Sequence, residues 1–421
     1  MRLINIQSLE LREFFDEEIP TLDWCKGYII LSHTWGKEEI SFAEWNAIQE
    51  SPDSEKAKLL REKEGYRKIR AFLSHVQEVS RQKFSSKLEW AWVDTCCIDK
   101  SSSAELSEAI NSMYTWYAEA ASCFAYLSDV PTGDVLSEES TFRRSRWFTR
   151  GWTLQELIAP RFIDFFDREW NLVGTKLTLS TLLHEITGVS LDSLRTRGLR
   201  GISIAEKMSW AASRQTTRKE DMAYCLLGLF NVNMPLLYGE GSKAFVRLQQ
   251  EIIKTSPDHT IFAWRRPDDW RARLSQSVFA TSPSFFKTSS RFIPEMSLVQ
   301  PQNRRARVNE AFRPFQTTNF GLQIHLPVIT CNEMNLYHGQ VVCQVPCRLG
   351  VFLCSETSRG DEYAAIWLKK TDASTQRVYG RINAHAIAFV SKSAVSTMRS
   401  RPGFYEEIFL RLDEEQISIK F

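Results

Sequence analysis

Tyr28-Ile29-Ile30-Leu31-Ser32-His33-Thr34-Trp35-Gly36 is the stretch whose reading decides the fold. Its first four residues are apolar, a run too short for a buried helix and suited to a central strand, and they lead into a polar, aromatic tail. The same pattern returns downstream. Between Gly65 and Ser80, residues Ile69, Phe72, Leu73, Val76 and Val79 recur at helical spacing. Trp90-Ala91-Trp92-Val93 reads as a second strand. Ser102-Ser103-Ala104-Glu105 then supplies a Ser-x-x-Glu capping box for a helix whose Leu106, Ala109, Ile110, Met113, Tyr117 and Ala120 share one face. Cys123-Phe124-Ala125-Tyr126-Leu127 is the third strand and Phe162-Ile163-Asp164-Phe165-Phe166 the fourth. Strands apolar on both faces and parted by helices predict an α/β fold with a mostly parallel sheet flanked by helices.

That topology places a site before any motif is named. In open α/β sheets ligands bind outside the carboxyl ends of the strands. Here those ends carry Ser32-His33-Thr34-Trp35-Gly36, then Asp94-Thr95-Cys96-Cys97-Ile98-Asp99, then the loop from Ser128 to Arg150.

Composition narrows the class. The chain has 421 residues, 43% hydrophobic and 25% charged, which is a globular mix and, at roughly 150 residues per domain, material for two or more domains. A net charge of +2 provides no global field for nucleic acid or an anionic membrane. The basic runs Arg143-Arg144-Ser145-Arg146 and Arg304-Arg305-Ala306-Arg307 read as solvated loop charge. The first residues lack the basic start and apolar core of a signal peptide, and no stretch approaches the ~20 apolar residues of a membrane span, so a cytoplasmic location is expected. Nine cysteines among apolar neighbours read as reduced, buried thiols. The close pair Cys343 and Cys347 has neither a second pair nor a histidine doublet to complete a zinc site.

The pattern from Leu177 to Gln250 is helical, with Gly228 and Pro235 punctuating its ends. Ser242 is placed to cap a helix beginning at Lys243. Arg265-Arg266-Pro267-Asp268-Asp269 marks a boundary, after which short strands follow at 322–326, 341–345, 350–354, 364–368 and 408–410. The organisation expected is an α/β domain at 1–174, a helical extension at 175–264 and a β-rich accessory domain at 265–421.

Four blocks carry a resemblance: Ile30 to Gly36; Trp92-Val93-Asp94-Thr95-Cys96-Cys97-Ile98-Asp99-Lys100; Ser107-Glu108-Ala109-Ile110-Asn111-Ser112-Met113; and Arg146-Trp147-Phe148-Thr149-Arg150-Gly151-Trp152-Thr153-Leu154-Gln155-Glu156-Leu157. In this order they resemble the signature blocks of fungal HET (heterokaryon incompatibility) domains, and the likeness runs on through Ser209 to Arg218, Asp221 to Gly228 and Met234 to Gly241. It covers roughly residues 1 to 264. HET domains are in turn distantly similar to TIR domains. Ile29-Ile30-Leu31-Ser32 resembles the first TIR strand, and Gly151-Trp152-Thr153-Leu154-Gln155-Glu156-Leu157 resembles the TIR segment ending in Trp-Cys-x-x-Glu-Leu. Thr153 stands where TIR domains usually have cysteine, and Asp94 to Asp99 has no close TIR counterpart.

The resemblance implies a TIR-like, flavodoxin-like sheet and a role in fungal non-self recognition that ends in cell death. Its partners would be further copies of the chain on activation and other proteins of the incompatibility pathway. It further implies NAD as substrate rather than resident cofactor, with Glu156 at the position of the glutamate that releases nicotinamide in enzymatic TIR domains. Cleaving that N-glycosidic bond creates an oxocarbenium-like sugar, which calls for a carboxylate beside the ribose. Glu156 falls in a short helix ended by Pro160. Trp152, Trp35 and His33 are placed to sandwich rings, and Ser32 with the backbone around Gly36 to bind phosphate oxygens. Asp94, Cys96 and Asp99 at the second strand end complete the candidate substrate-binding set.

Each residue also has a plainer reading. Glu156 can be a structural carboxylate pairing Arg150 or Arg161; Trp35 and Trp152 can be core aromatics; Ser32 and His33 can be satisfied strand-end hydrogen-bonders; Asp94 and Asp99 can brace the loop near Ser101. A metal site from His33, Asp94, Cys96 and Asp99 mixes hard and soft ligands without local spacing, so none is expected. The alternative to catalysis is a self-associating module that recruits a death executor. Deleting residues after about Trp264 is expected to change toxicity.

Overall fold

The protein is described here from a computed structural model, which covers residues 1–22, 24–83, 88–133, 137, 139–196, 198–267, 277–295, 314–330, 348–371, 377–382, 384, 386–398 and 405–412. The strand expected at 341–345, the Cys343 and Cys347 pair and the basic run 304–307 lie outside the described residues. The chain divides into two compact units, Met1–Leu199 with Arg214–Tyr238, and Arg200–Ser213 with Gly239–Phe421. These boundaries differ from the three segments read from sequence, because the helical stretch 175–264 is shared between both units.

The first unit is built on β1 (Arg2–Asn5), β2 (Leu11–Glu13), β3 (Thr21–Leu22), β4 (Cys25–His33), β5 (Trp90–Trp92), β6 (Ala120–Tyr126), β7 (Ile163–Phe166) and β8 (Leu172–Thr175). Among the described residues they form one sheet in the order β2-β1-β5-β4-β6-β7-β8, with β3 against β4. The interior strands β5, β4, β6 and β7 are mutually parallel. They are also the four apolar runs of the sequence, buried along nearly their whole length. The margins are antiparallel. These edge strands are two to four residues long and partly exposed, so they carry no apolar run by which sequence reading could find them.

Helices α1 (Phe42–Glu50), α2 (Glu55–Glu62) and α3 (Glu64–Lys83) follow β4; α4 (Ser103–Glu119) joins β5 to β6; and α5 (Thr153–Ile158) precedes β7. Strand register assigns them to faces. Ser32 pairs with Ala125, and Ala125 with Phe165; His33 pairs with Tyr126, and Tyr126 with Phe166. Because successive side chains alternate, Ser32, Ala125 and Phe165 share one face and His33, Tyr126 and Phe166 the other. On the first face Phe165 meets Trp147 at 5.5 Å, and Gln155 of α5 reaches Met113 of α4. On the second, Phe166 meets His75 of α3 at 5.6 Å and Phe72 meets Phe124 at 5.8 Å. Each large apolar side chain buried this way contributes roughly 1.5–3 kcal/mol.

Local chemistry departs from expectation at several points. Ser102 caps α4 through the Glu105 N–H, but the Glu105 carboxylate turns to the Asp99 N–H and the Arg2 guanidinium. Only half of the capping box forms, since a charged partner from β1 outcompetes the backbone of Ser102. Gly228 lies inside the short helix Leu227–Phe230 rather than at its end; a Cβ there would sit 2.0 Å from the Tyr114 side chain, and Asn231, with φ of 53°, ends the helix. Ser242 precedes the helix Lys243–Thr255 without a side-chain cap bond.

The second unit carries β9 (Phe292–Pro294), β10 (Gln316–Thr318), β11 (Gly321–Thr330), β12 (Arg348–Val351), β13 (Cys354–Glu356), β14 (Glu362–Lys370), β15 (Val378–Ile382), β16 (Ala388–Ser391) and β17 (Tyr405–Leu410). The path β11-β12-β14-β15-β17 returns to β11, so these strands close into a barrel and leave no free edge between them. Among the described residues of this unit, only the β15–β17 pair is parallel. Leu349, Val351, Ala365, Trp367 and Val390 share one buried cluster. Trp264 belongs to this unit's interior: its indole N–H donates to the Val278 carbonyl, and the Arg381 guanidinium stacks on its ring at 3.7 Å. Truncation after Trp264 therefore cuts through a compact unit rather than between two. Among the described residues no helix is long and apolar enough to cross a membrane.

Candidate functional site

The site is assembled at the carboxyl end of β4, where the strand continues through Ser32 and His33. Alternation sends these two neighbours to opposite faces. Ser32 turns toward α5, and its hydroxyl donates to Glu156 Oε2 at 2.5 Å while accepting the Trp147 indole N–H at 2.8 Å. Glu156 is held by a short helix whose start is pinned: the Gly151 N–H donates to the Gln215 carbonyl at 2.8 Å, and a Cβ at Gly151 would lie 2.4 Å from Thr216. Thr153 Oγ1 donates back to the Arg150 carbonyl at 2.9 Å and receives Arg214 Nη1 at 2.9 Å. Pro160 follows the helix that ends at Ile158.

Glu156 is only 6% exposed. Burial pushes its carboxyl up to about 7, helped by the charge of Asp94, while the Ser32 hydroxyl, Arg150 and the Tyr117 hydroxyl oppose the rise. Among the described residues no guanidinium or ammonium forms an ion pair with it. Arg161, considered from sequence as a partner, instead lies 5.4 Å from the Trp24 ring and 5.2 Å from that of Phe162. The Arg214 guanidinium is committed to Thr153 and to the Arg150 carbonyl. The result is a carboxyl that loses water on folding, gains the Ser32 hydroxyl as a donor and has its pKa raised into the neutral range.

His33 faces the α3 side. Its ring is buried, neither nitrogen has a hydrogen-bond partner, and Glu39 Oε2 and Asp94 Oδ1 stand 3.8 and 3.7 Å from Nε2, beyond hydrogen-bonding reach. Burial, reinforced by Lys68, Arg150 and Lys100, holds its pKa well below the usual histidine range, so the ring is neutral. Asp94 links the two faces, since its charge acts on Glu156 and its Oδ2 accepts the Trp35 indole N–H at 2.8 Å. Asp94 Oδ1 is likewise buried without a partner. Trp35, 41% exposed, forms the rim, with Lys100 Nζ 3.7 Å and Arg150 Cζ 5.1 Å from its ring centre.

The structure thus brings Ser32, Glu156, His33, Asp94 and Trp35 to one strand-end region. The rest of the proposed set is engaged otherwise. The Gly36 N–H donates to Glu39 Oε1 at 2.7 Å, which takes it away from any phosphate. Asp99 accepts the Ser101 N–H and hydroxyl and so braces its loop. Cys96 is fully buried, with its thiol pushed well up by burial and by Cys97, which removes it as a thiolate. Trp152 lies beside Asp221 and opposes the rise that burial gives that carboxyl. Sequence reading missed the supports: Trp147, although it lies in the block that ends at Glu156; Tyr117, whose apolar helix face hides a hydroxyl that donates to the Leu31 carbonyl at 3.0 Å; and Glu39, which Lys68 of α3 anchors at 2.6 Å. Among the described residues no group of His, Cys, Asp and Glu is arranged to hold a metal ion.

Residues 28–141 match the family model for the heterokaryon incompatibility protein (HET), and residues 243–345 match a domain of unknown function, DUF8212. The HET match includes Ser32, His33 and Asp94 and ends before Trp147 and Glu156. The vegetative incompatibility protein HET-E-1 of Podospora anserina is 45% identical over 248 residues, 56% of this chain. The chain spans about 17% of the length of that relative. No solved structure matches. Residues 28–141 are thus similar to the heterokaryon incompatibility (HET) family, and the chain's wider similarity is to a vegetative incompatibility protein.

Proposed function

We propose that this chain acts in fungal vegetative incompatibility as an effector of cell death, and that it does so by hydrolysing NAD at the end of β4. The observation that carries the reading is Glu156: a buried carboxyl, pushed up to about 7, bonded to the strand-end Ser32 and lacking an ion-pair partner among the described residues. The spatial order β5-β4-β6-β7 also supports it. In this order the chain passes from β4 to β5 on one side and then crosses back to β6 on the other, so the carboxyl ends of β4 and β6 are the kind of switch point where α/β sheets bind ligands. A TIR-like ancestry for the sheet belongs to the same proposal.

In the reaction, the bond from ribose C1′ to the nicotinamide nitrogen breaks and its electron pair leaves with the neutral ring. Ionised Glu156 then faces the developing ribosyl cation, where low dielectric strengthens the attraction. Water adds to C1′ and gives up a proton, yielding ADP-ribose and nicotinamide. The Ser32 hydroxyl, oriented by the Trp147 indole, holds the carboxylate in position. Because the carboxylate form is the active one, nicotinamide release should rise with pH through about 7.

The test is purified full chain with NAD, nicotinamide measured chromatographically, against Glu156→Gln. A loss of about a thousandfold or more in a folded variant, roughly 4 kcal/mol of transition-state stabilisation, is the expected result. A specific observation favours the second reading, a non-catalytic self-associating module. Trp24 and Phe162, both near half exposed, meet edge to face at 5.4 Å with Arg161 over both rings, a composition typical of interface hot spots. Equal killing of cells by the parent and by Glu156→Gln would favour that module and refute hydrolysis.

A further inference from the structure

The rim of the site carries two cations that the proposed reaction has not yet used. Lys100 Nζ and Arg150 Cζ both lie against the Trp35 ring, at 3.7 and 5.1 Å, and the ring is 41% exposed. Among the described residues neither cation makes a side-chain hydrogen bond or an ion pair. Of the carboxylates nearby, Glu39 accepts from Lys68 and the Gly36 N–H, and Asp94 accepts the Trp35 N–H through Oδ2. The indole holds the two charges by cation–π attraction; Asp94 and Glu39 offset part of the Lys100 charge while Arg150 repels it, and an anion seated between or beside the two cations relieves that repulsion.

Their backbones are fixed while their side chains remain uncommitted. The Arg150 carbonyl accepts from Arg214 and Thr153, and Arg150 forms an isolated bridge with Gln215. Lys100 follows Asp99, which is locked onto Ser101. Such a pair is preorganised for an anion. A guanidinium grips phosphate oxygens in bidentate fashion, and an ammonium adds a point charge. The position matters as well, because both cations act electrostatically on His33 at the end of β4, beside the carboxyl end that would face a sugar. The Gly36 backbone cannot serve instead, since its N–H is already taken.

We propose that Lys100 and Arg150, held against the Trp35 indole, form a two-cation seat for the diphosphate of a dinucleotide substrate; this rests on reading Glu156 as the group that faces the glycosidic bond of the same molecule. The seat orders the substrate by its charge, and the buried carboxylate then meets the ribose.

Calorimetric titration of the full chain with ADP-ribose and with inorganic pyrophosphate tests it, using the parent, the double variant Lys100→Gln with Arg150→Gln, and the charge-preserving pair Lys100→Arg with Arg150→Lys. The expected result is that neutralisation weakens both ligands by about tenfold or more with an unchanged unfolding midpoint, while the charge-preserving pair retains most of the affinity. Unaltered affinity in the neutral variant, or no binding of either ligand by the folded parent, overturns the proposal. The two readings fail separately. If the parent releases no nicotinamide but pyrophosphate affinity falls in the neutral variant, the seat stands and hydrolysis does not. If NAD is split and the neutral variant keeps the parental KM, hydrolysis stands and the seat does not.

Discussion

Each compact unit buries a charged side chain, and the two are satisfied in opposite ways. In the barrel unit, Arg381 is 1% exposed, donates to the Phe262 and Trp264 carbonyls at 3.1 and 2.6 Å and stacks on the Trp264 ring. Burial draws its pKa down to about 9, but its acceptors are main-chain atoms that cannot move away or change protonation. In the sheet unit, Glu156 accepts the hydroxyl of Ser32 at a strand end, sits among groups of both signs and is pushed up to about 7. One charge is fixed by backbone and serves packing; the other is surrounded by side chains and poised between its two protonation states. Burial alone does not mark a functional group; what separates these two is whether the partners fix one ionisation state.

The largest effect should come from breaking the fixed charge. Arg381→Ala orphans two buried carbonyls and opens a cavity against Trp264, a loss of about 4 kcal/mol from the barrel unit. Urea unfolding should show it, and Arg381→Lys should recover part; a loss under about 1 kcal/mol would mean that the guanidinium contributes little.

A somewhat smaller effect follows from the poised one. The Glu156 carboxyl titrates near 7 in the native chain against 4.5 for the ordinary group, so the folded state holds the proton more tightly than the unfolded one. The stabilisation associated with that proton is complete below the ordinary value and is lost as pH rises through about 7, a fall of about 3 kcal/mol across the window. His33 has the opposite sign: its folded pKa is depressed, so its contribution is present above the ordinary histidine value and is lost as pH falls. Comparing the parent with Glu156→Gln at each pH isolates the carboxyl. The variant should lack the downward slope between pH 5 and 8; the same slope in both proteins would place the titration elsewhere.

Much of this arrangement was legible in the residues. The four apolar runs became the interior parallel strands, and Pro160 after a short helix located Glu156. The division of the site between two faces was not read, because the first strand was expected to stop at Leu31. Once it runs on to His33, a period of two forces Ser32 and His33 to opposite faces. The engagement of Gly36 was not read either, since Glu39 three residues later folds back onto its N–H, a local competition that residue types alone do not decide. The edge strands escaped notice because pairing rather than pattern creates them.

The account depends on the ionisation of one carboxyl. Following the Glu156 side-chain carboxyl through a pH titration, by carbon NMR of labelled glutamate with Glu156→Gln to assign the signal, measures it directly. The prediction is an inflection near 7 that disappears in the variant. An inflection at or below the ordinary glutamate value would contradict it, because Glu156 would then be a carboxylate as fixed in charge as Arg381.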